Sequence, residues 1–389
     1  MRVLFATTAN DGHFGPLIPF ARACAAAGHE VRVAAPESYA AALDRAGFAH
    51  EPFADAPREQ IGPIMASLPT LPFEEADDVV IREVFARVDA QAGLPAVMDT
   101  VDHWRPDVVL RESAELASLA AAERAGVPHV HVCIGMHEVA TRFAGAIVEP
   151  LEELGRRAGL ADGQASRALA AETVFSLVPE AVDHAVGEVP PEAAAYLRFH
   201  EPAPATGAEG LPAWGDPGLP LVYVTFGSVT GSLGHFGDVY REALDGLADL
   251  DARVLMTVGR RLDPAELGPW PANAHVEQWW PQGELLTHAA AMVGHGGFGT
   301  TMGALAAGVP QVVMPIFTFD QVVNGAHVAA VGAGLAVSMG PGAVTRACSD
   351  VRTLLTAPSY TAAAQRVALQ LADLPRPDEA VPVLAGLVG

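Results

Sequence analysis

The chain contains no lysine: its 23 basic residues are all arginine, set against 46 acidic ones, for a formal net charge of −23. Without lysine no internal Schiff base can form, which excludes pyridoxal phosphate held in the usual way. The acidic balance argues against nucleic acid and anionic membranes as partners. Cysteine is scarce. Cys24, Cys133 and Cys348 are far apart and odd in number, so neither a disulfide framework nor a zinc cluster is implied. His129 and His131 alternate on one apparent strand, but no carboxylate at ligand spacing accompanies them, and no metal site is expected. No apolar run reaches the ~18 residues of a membrane span. Met1 to Ala6 reads as a strand and lacks the apolar segment and cleavage site of a signal peptide, so a cytoplasmic location is expected.

What is present is a half-apolar chain of 389 residues, long enough for two domains. In the first half, strand-like runs (Arg2 to Thr8, Glu30 to Ala35, Asp107 to Leu110, His129 to Cys133) alternate with helical patterns (Pro16 to Ala27, Ser113 to Ala125). Such alternation predicts parallel sheets with helices on both faces. Residues 55–100 and 136–170 interrupt the rhythm with helical segments of mixed polarity. A stretch rich in Pro, Gly and Ala around Pro202 to Pro212 reads as a linker. The predicted organisation is a first domain over 1–201, a linker over 202–218, a second domain over 219–375 and a final amphipathic helix within 376–389. The second domain restarts with the strand Leu221 to Phe226 and continues through strands near Val254, Val276, Met292 and Val312.

The densest chemistry lies in the second half. Ala290 to Val293 reads as a buried strand, Gly294-His295-Gly296-Gly297-Phe298-Gly299 as a turn, and Thr300 to Ala307 as a helix that Gly308 and Pro310 close. A glycine-rich turn entering a helix presents free N–H groups and the positive end of the helix dipole, a cradle for phosphate. Thr300, Thr301 and His295 can add side-chain donors. Gly294, Gly296 and Gly299 also match the dinucleotide pattern G-x-G-x-x-G. That reading wants an acid about 20 residues on; here none precedes Asp320. Trp279-Trp280-Pro281-Gln282 stands before the cradle, and Asp320-Gln321 opens a helix after the next strand.

At the other end, Gly12-His13-Phe14 follows the first strand and precedes a helix. In an open α/β sheet, ligands bind at that edge. The helix end disfavours imidazolium and helps keep His13 able to accept a proton. Such a base needs an orienting acid. Glu112 is the candidate, with Asp11 and Glu115 as fallbacks; Arg111 could hold Glu112 or touch a substrate.

Together, the Gly12-His13 motif with Pro16, the middle linker, the box from Trp279 to Gln321 and the last helix resemble the nucleotide-sugar-dependent glycosyltransferases of GT-B fold over essentially the whole length. Among these, the short box and Arg111-Glu112-Ser113 are most similar to the bacterial antibiotic glycosyltransferases. The resemblance implies two facing Rossmann-like α/β domains with a cleft between them, the last helix returning to the first domain. It implies an inverting transferase that moves a sugar, often a deoxysugar, from a TDP- or UDP-sugar to a hydroxyl of a small hydrophobic natural-product aglycone. His13 becomes the base with Glu112 as its partner. Ser228, Trp279, Gln282, His295, Gly297, Gly299, Thr300, Thr301, Asp320 and Gln321 become donor-binding residues, Trp279 as the base platform and Asp320-Gln321 on the sugar hydroxyls. Phe14, Arg111 and His137 become acceptor-binding residues. The nucleotide-diphosphate sugar is then a co-substrate and no cofactor or metal is implied; a homodimer is left open. Two alternatives stand beside it: a nucleotide-sugar 2-epimerase of related architecture, and a non-catalytic glycosyltransferase partner.

Overall fold

The computed structural model describes residues 1–200, 210–230 and 237–389. Its contacts divide the chain into two units: Met1–Leu177 with Val189–Glu201 and Pro375–Gly389, and Val178–Glu188 with Pro202–Leu374. The second unit thus includes Val178–Glu188, a segment that the predicted organisation assigned to the first. Of the expected linker, 202–209 lies outside the described residues.

The first unit is built on a seven-stranded parallel sheet of β1 (Arg2–Ala6), β2 (Glu30–Pro36), β3 (Ala49–Phe53), β4 (Val108–Glu112), β5 (His129–Val132), β6 (Thr173–Ser176) and β7 (Leu197–Arg198), in the order β3-β2-β1-β4-β5-β6-β7. Alternate residues of β1 go to opposite faces, and both sets are apolar. Leu4 and Ala6 join a core with the helices Ala90–Trp104 and Ala117–Ala125, while Val3 and Phe5 join one with Leu17 and Phe20. A parallel sheet buried on both faces requires this composition. Ala380 and Leu384 of the last helix, Ala380–Val388, are buried in the second of these cores.

The second unit carries six parallel strands: β8 (Leu221–Thr225), β9 (Arg253–Thr257), β10 (Ala274–Glu277), β11 (Ala289–Gly294), β12 (Gln311–Val313) and β13 (Gly334–Ala336). Their order is β10-β9-β8-β11-β12-β13. Here too Val222 and Val224 of β8 face one core, and Leu221 and Tyr223 the other.

In each sheet the strand order reverses beside the unit's first strand, between β1 and β4 and between β8 and β11. At such a switch point the connections on either side leave in opposite directions, opening a crevice at the C-terminal strand ends. The residues that follow β1, β4, β8 and β11 are therefore the ones to inspect. One departure from ordinary helix lies nearby: Val80–Asp89 is a π-helix between the α-helices Phe73–Val79 and Ala90–Trp104. Such wide turns often mark functional sites. Among the described residues no helix is long and apolar enough to cross a membrane.

Candidate functional site

In the first unit, parallel pairing sets Ala6 of β1 beside Arg111 of β4, so the chain leaving β1 runs past Glu112. Asn10 caps the short helix Asp11–Phe14 by accepting the Gly12 amide at 2.8 Å, and this turn presents His13. The His13 Nδ1 lies 3.1 Å from Glu112 Oε2 and 3.0 Å from Thr8 Oγ1. Glu112 is fully buried and accepts the amides of Thr8 at 3.1 Å and Ala114 at 2.6 Å. Burial alone would raise the Glu112 carboxyl, but His13 and the two amides outweigh it and hold it below the ordinary carboxylate range. With Glu112 ionised, Nδ1 is the protonated ring nitrogen and donates to it, so Nε2 carries the lone pair. The fallback partners are engaged elsewhere: Asp11 accepts from the Tyr39 hydroxyl at 2.6 Å, and Glu115 accepts from Ser118.

Beside this group lies a cavity of about 470 Å³ within the first unit, lined by Thr8, Phe53, Phe85, Asp89, Ala114 and Leu116 among others. Its wall touches the triad at three points: Thr8 bonds His13, the Phe85 ring lies 5.4 Å from the imidazole, and the Ala114 amide bonds Glu112. Phe85 and Asp89 both come from the π-helix, which sequence reading saw only as part of a mixed-polarity helical insertion.

The three residues expected to bind an acceptor are placed differently. Arg111 is fully buried, ion-paired to Glu172, and donates to the Glu112 carbonyl at 3.0 Å and to those of Ser113 and Glu115 at 3.4 Å. It braces the turn after β4, because a guanidinium on a two-sided buried strand must find its partners inside. Phe14 is a core residue edge-on to Tyr39 and Phe48. His137 is buried at the start of the helix His137–Ala146. None of the three lines the cavity.

In the second unit, β11 delivers the turn His295-Gly296-Gly297 to the helix Phe298–Ala306. The Gly296 φ of +88° is left-handed, and a Cβ there would meet the Gln321 carbonyl oxygen at 2.7 Å; no other residue fits. The His295 ring is flanked by backbone: an added Cβ at Gly297 would collide with its Nε2, and one at Gly227 would stand 2.6 Å from it. Burial pushes the largely buried imidazole down to about 4, so it stays neutral at physiological pH. Its Nδ1 is sealed from solvent without a partner among the described residues. At Gly299, by contrast, an added Cβ meets nothing within 4 Å. The amides of the first helical turn have no intrahelical acceptors.

Around the cradle, Thr300 and Gln282 bond each other twice at 3.4 Å. Thr301, expected as a donor-side hydroxyl, is instead 1% exposed and its Oγ1 is sealed inside, because it sits on the core face of its helix. Gln321 is also buried; its Oε1 accepts the Ile316 and Phe317 amides at 2.8 and 3.2 Å, which braces the loop after β12 and leaves half-buried Asp320 as the accessible member of that pair. Trp279 is 52% exposed, with the Arg260 guanidinium 4.4 Å over its ring. Trp280 packs against the Leu221 side of the sheet. The Ser228 side chain lies outside the described residues. Sequence reading passed over Asn324, which is buried and donates to the Gly296 carbonyl at 2.8 Å. A second amide, three residues after Gln321 and so on the same face of the helix Phe319–Ala330, was the available signal.

Known proteins are similar to this chain in sequence and fold. Residues 22–183 match the N-terminal domain, and residues 241–387 the C-terminal domain, of the family described as erythromycin biosynthesis protein CIII-like. The L-demethylnoviosyl transferase of Streptomyces niveus is 32% identical over 352 residues, covering 87% of this chain and 85% of the relative. The crystal structure of the glycosyltransferase SnogD from Streptomyces nogalater superposes with a TM-score of 0.77 at 28% identity, covering 100% of this chain and 99% of that one. That of the glycosyltransferase VinC in complex with dTDP superposes at 0.76 and 25% identity over the same shares.

Proposed function

The chain belongs to the erythromycin biosynthesis protein CIII-like family and is a natural-product glycosyltransferase of GT-B fold, and from that premise we propose that it moves a deoxysugar from TDP onto a hydroxyl of a hydrophobic aglycone. The single observation that carries the reading is the His13–Glu112–Thr8 group at the edge of a mostly apolar cavity.

The first unit serves the acceptor. An acceptor hydroxyl gives its proton to Nε2 of His13 while Nδ1–H stays on Glu112, which stabilises the imidazolium that forms. The freed oxygen attacks the anomeric carbon, the bond to the diphosphate breaks on the opposite face, and one displacement inverts the configuration. The second unit serves the donor. The diphosphate gains negative charge as it leaves, and the first-turn amides of Phe298–Ala306, with Thr300, meet that charge. Oriented amides take the place of a metal ion in this scheme. Uncharged His295 offers a ring N–H. It adds no cation to a chain whose net charge of −23 already repels a nucleotide sugar. Trp279 offers an exposed ring to the base, and Asp320 an acceptor for sugar hydroxyls.

The test is incubation with TDP- and UDP-sugars, with and without a phenolic acceptor, in the presence of chelator. Acceptor-dependent release of the nucleotide diphosphate supports the proposal. Acceptor-independent change of the sugar supports an epimerase instead, and tight donor binding without turnover supports a non-catalytic partner. His13→Ala should abolish transfer while leaving TDP affinity within about threefold, or under ~1 kcal/mol, of the wild type. Equal loss of both would make His13 a structural residue.

A further inference from the structure

The cavity of the first unit holds one group that the proposed chemistry does not use. Asp89 ends the π-helix Val80–Asp89 and lines the cavity together with Phe85, which lies against the His13 ring. Much of the surrounding wall is hydrocarbon: Phe53, Ala54, Phe85, Ala90, Ala114 and Leu116. Among the described residues, the Asp89 carboxyl has neither a hydrogen-bond nor an ion-pair partner, unlike Asp55 across the cavity, which accepts from the Ser38 amide and hydroxyl. A half-buried carboxyl in an apolar wall is costly unless something pairs with it.

Burial, and next the Glu112 charge, push this carboxyl up to about 7; Asp55 adds to the effect and His13 opposes it. The other ionisable groups of the wall are Arg58 and Glu115. A carboxyl so placed accepts a hydrogen bond from a bound molecule when ionised and can also donate one when neutral.

We propose that Asp89 is a specificity-determining residue, which pairs with a second hydrogen-bond donor on the acceptor, beside the hydroxyl that is glycosylated. The substrate class so selected is a hydrophobic aglycone carrying at least two hydroxyl (or N–H) groups along one edge: one is presented to His13 and the other is held by Asp89. The inference rests on the reading that this cavity receives the acceptor.

Two probes test it: 1,2-dihydroxyanthraquinone, which carries two adjacent hydroxyls, and 2-hydroxyanthraquinone, which carries one. Binding of each is measured by fluorescence quenching to the wild-type chain, Asp89→Ala, Asp89→Asn and His13→Ala. The wild type should bind the dihydroxy probe about tenfold or more tightly than the monohydroxy probe, the effect of one hydrogen bond to a charged group. Asp89→Ala should lose that preference by weakening only the dihydroxy probe, and Asp89→Asn should keep part of it. His13→Ala should retain the preference while losing transfer. That contrast separates the two readings: a failed base leaves the Asp89 preference standing, because binding needs no chemistry. Equal affinity of the wild type for both probes, or an equal loss of both in Asp89→Ala, overturns the proposal.

Discussion

Replacing Glu112 by glutamine tests the base and its support in a single step. Glu112 accepts three bonds: the Thr8 amide on Oε1 at 3.1 Å, and the Ala114 amide and His13 Nδ1 on Oε2 at 2.6 and 3.1 Å. Glutamine has one carbonyl oxygen. Its best placement keeps that oxygen on Ala114 and His13 and turns its NH₂ against the Thr8 N–H, a donor facing a donor. The fold loses ~1–3 kcal/mol for that unsatisfied amide. The transition state loses more than one ordinary bond, because the imidazolium no longer faces an anion. The difference between a charged and a neutral hydrogen bond sets a lower bound near ~2 kcal/mol. The attraction of unit charges about 4 Å apart at an effective dielectric of about 20 sets an upper bound near ~4 kcal/mol. The expected fall in kcat is therefore ~30- to ~1000-fold. The assay is acceptor-dependent TDP release at saturating substrates, with TDP affinity measured by calorimetry and the fold checked by a thermal melt. A folded Glu112→Gln chain with kcat within about threefold of wild type, under ~1 kcal/mol of barrier, would refute the argument.

Two further outcomes follow from the structure. Gly299→Ala places a methyl where nothing lies within 4 Å, on a helical residue whose φ is not left-handed. Stability should hold or rise by up to ~1 kcal/mol, while TDP affinity falls and thymidine affinity does not; unchanged TDP affinity in titration calorimetry would move the diphosphate away from this turn. For Glu172, burial raises the carboxyl but Arg111, His129 and His131 outweigh it and lower it to about 2. A depressed carboxyl stabilises the fold above its ordinary value of 4.5 and loses that contribution as pH falls toward 2. Glu172→Gln should therefore cost ~3–5 kcal/mol at neutral pH by stranding Arg111, and the gap from wild type should narrow as pH falls below 4.5. Urea unfolding across pH checks this, and a gap that does not vary with pH would contradict it.

The sequence made the strands with continuous apolar runs legible, because β1, β8 and β11 are buried on both faces and need side chains of one kind. It did not reveal β3, β6, β7 and β13. These are short or at the margin of their sheets, and β3 carries Pro52 and two polar residues, which only an edge strand tolerates. Residue type together with strand-end position was enough to pair His13 with Glu112, since neighbouring parallel strands end at the same edge. Direction within a turn was not legible. Arg111 precedes Glu112 by one residue on a strand and so points to the opposite face, toward Glu172; Thr301 follows Thr300 on a helix, where one step turns the side chain by about 100°, enough to carry it into the core. Asp89 escaped notice because its importance comes from a cavity that residues distant in sequence enclose.

The way the chain is apportioned between its units bears on making hybrids. The helix Glu180–Asp183 packs on Phe319–Ala330, and its Val182 carbonyl accepts from the buried His327 Nδ1 at 2.6 Å. A single splice at residue 202 would hand the recipient a second half missing this helix, with the Val182 carbonyl taken from His327. It would also carry Pro375–Gly389 away from the sheet it closes. A hybrid that exchanges one unit whole must therefore be joined at several crossovers, near 178, 189, 202 and 375.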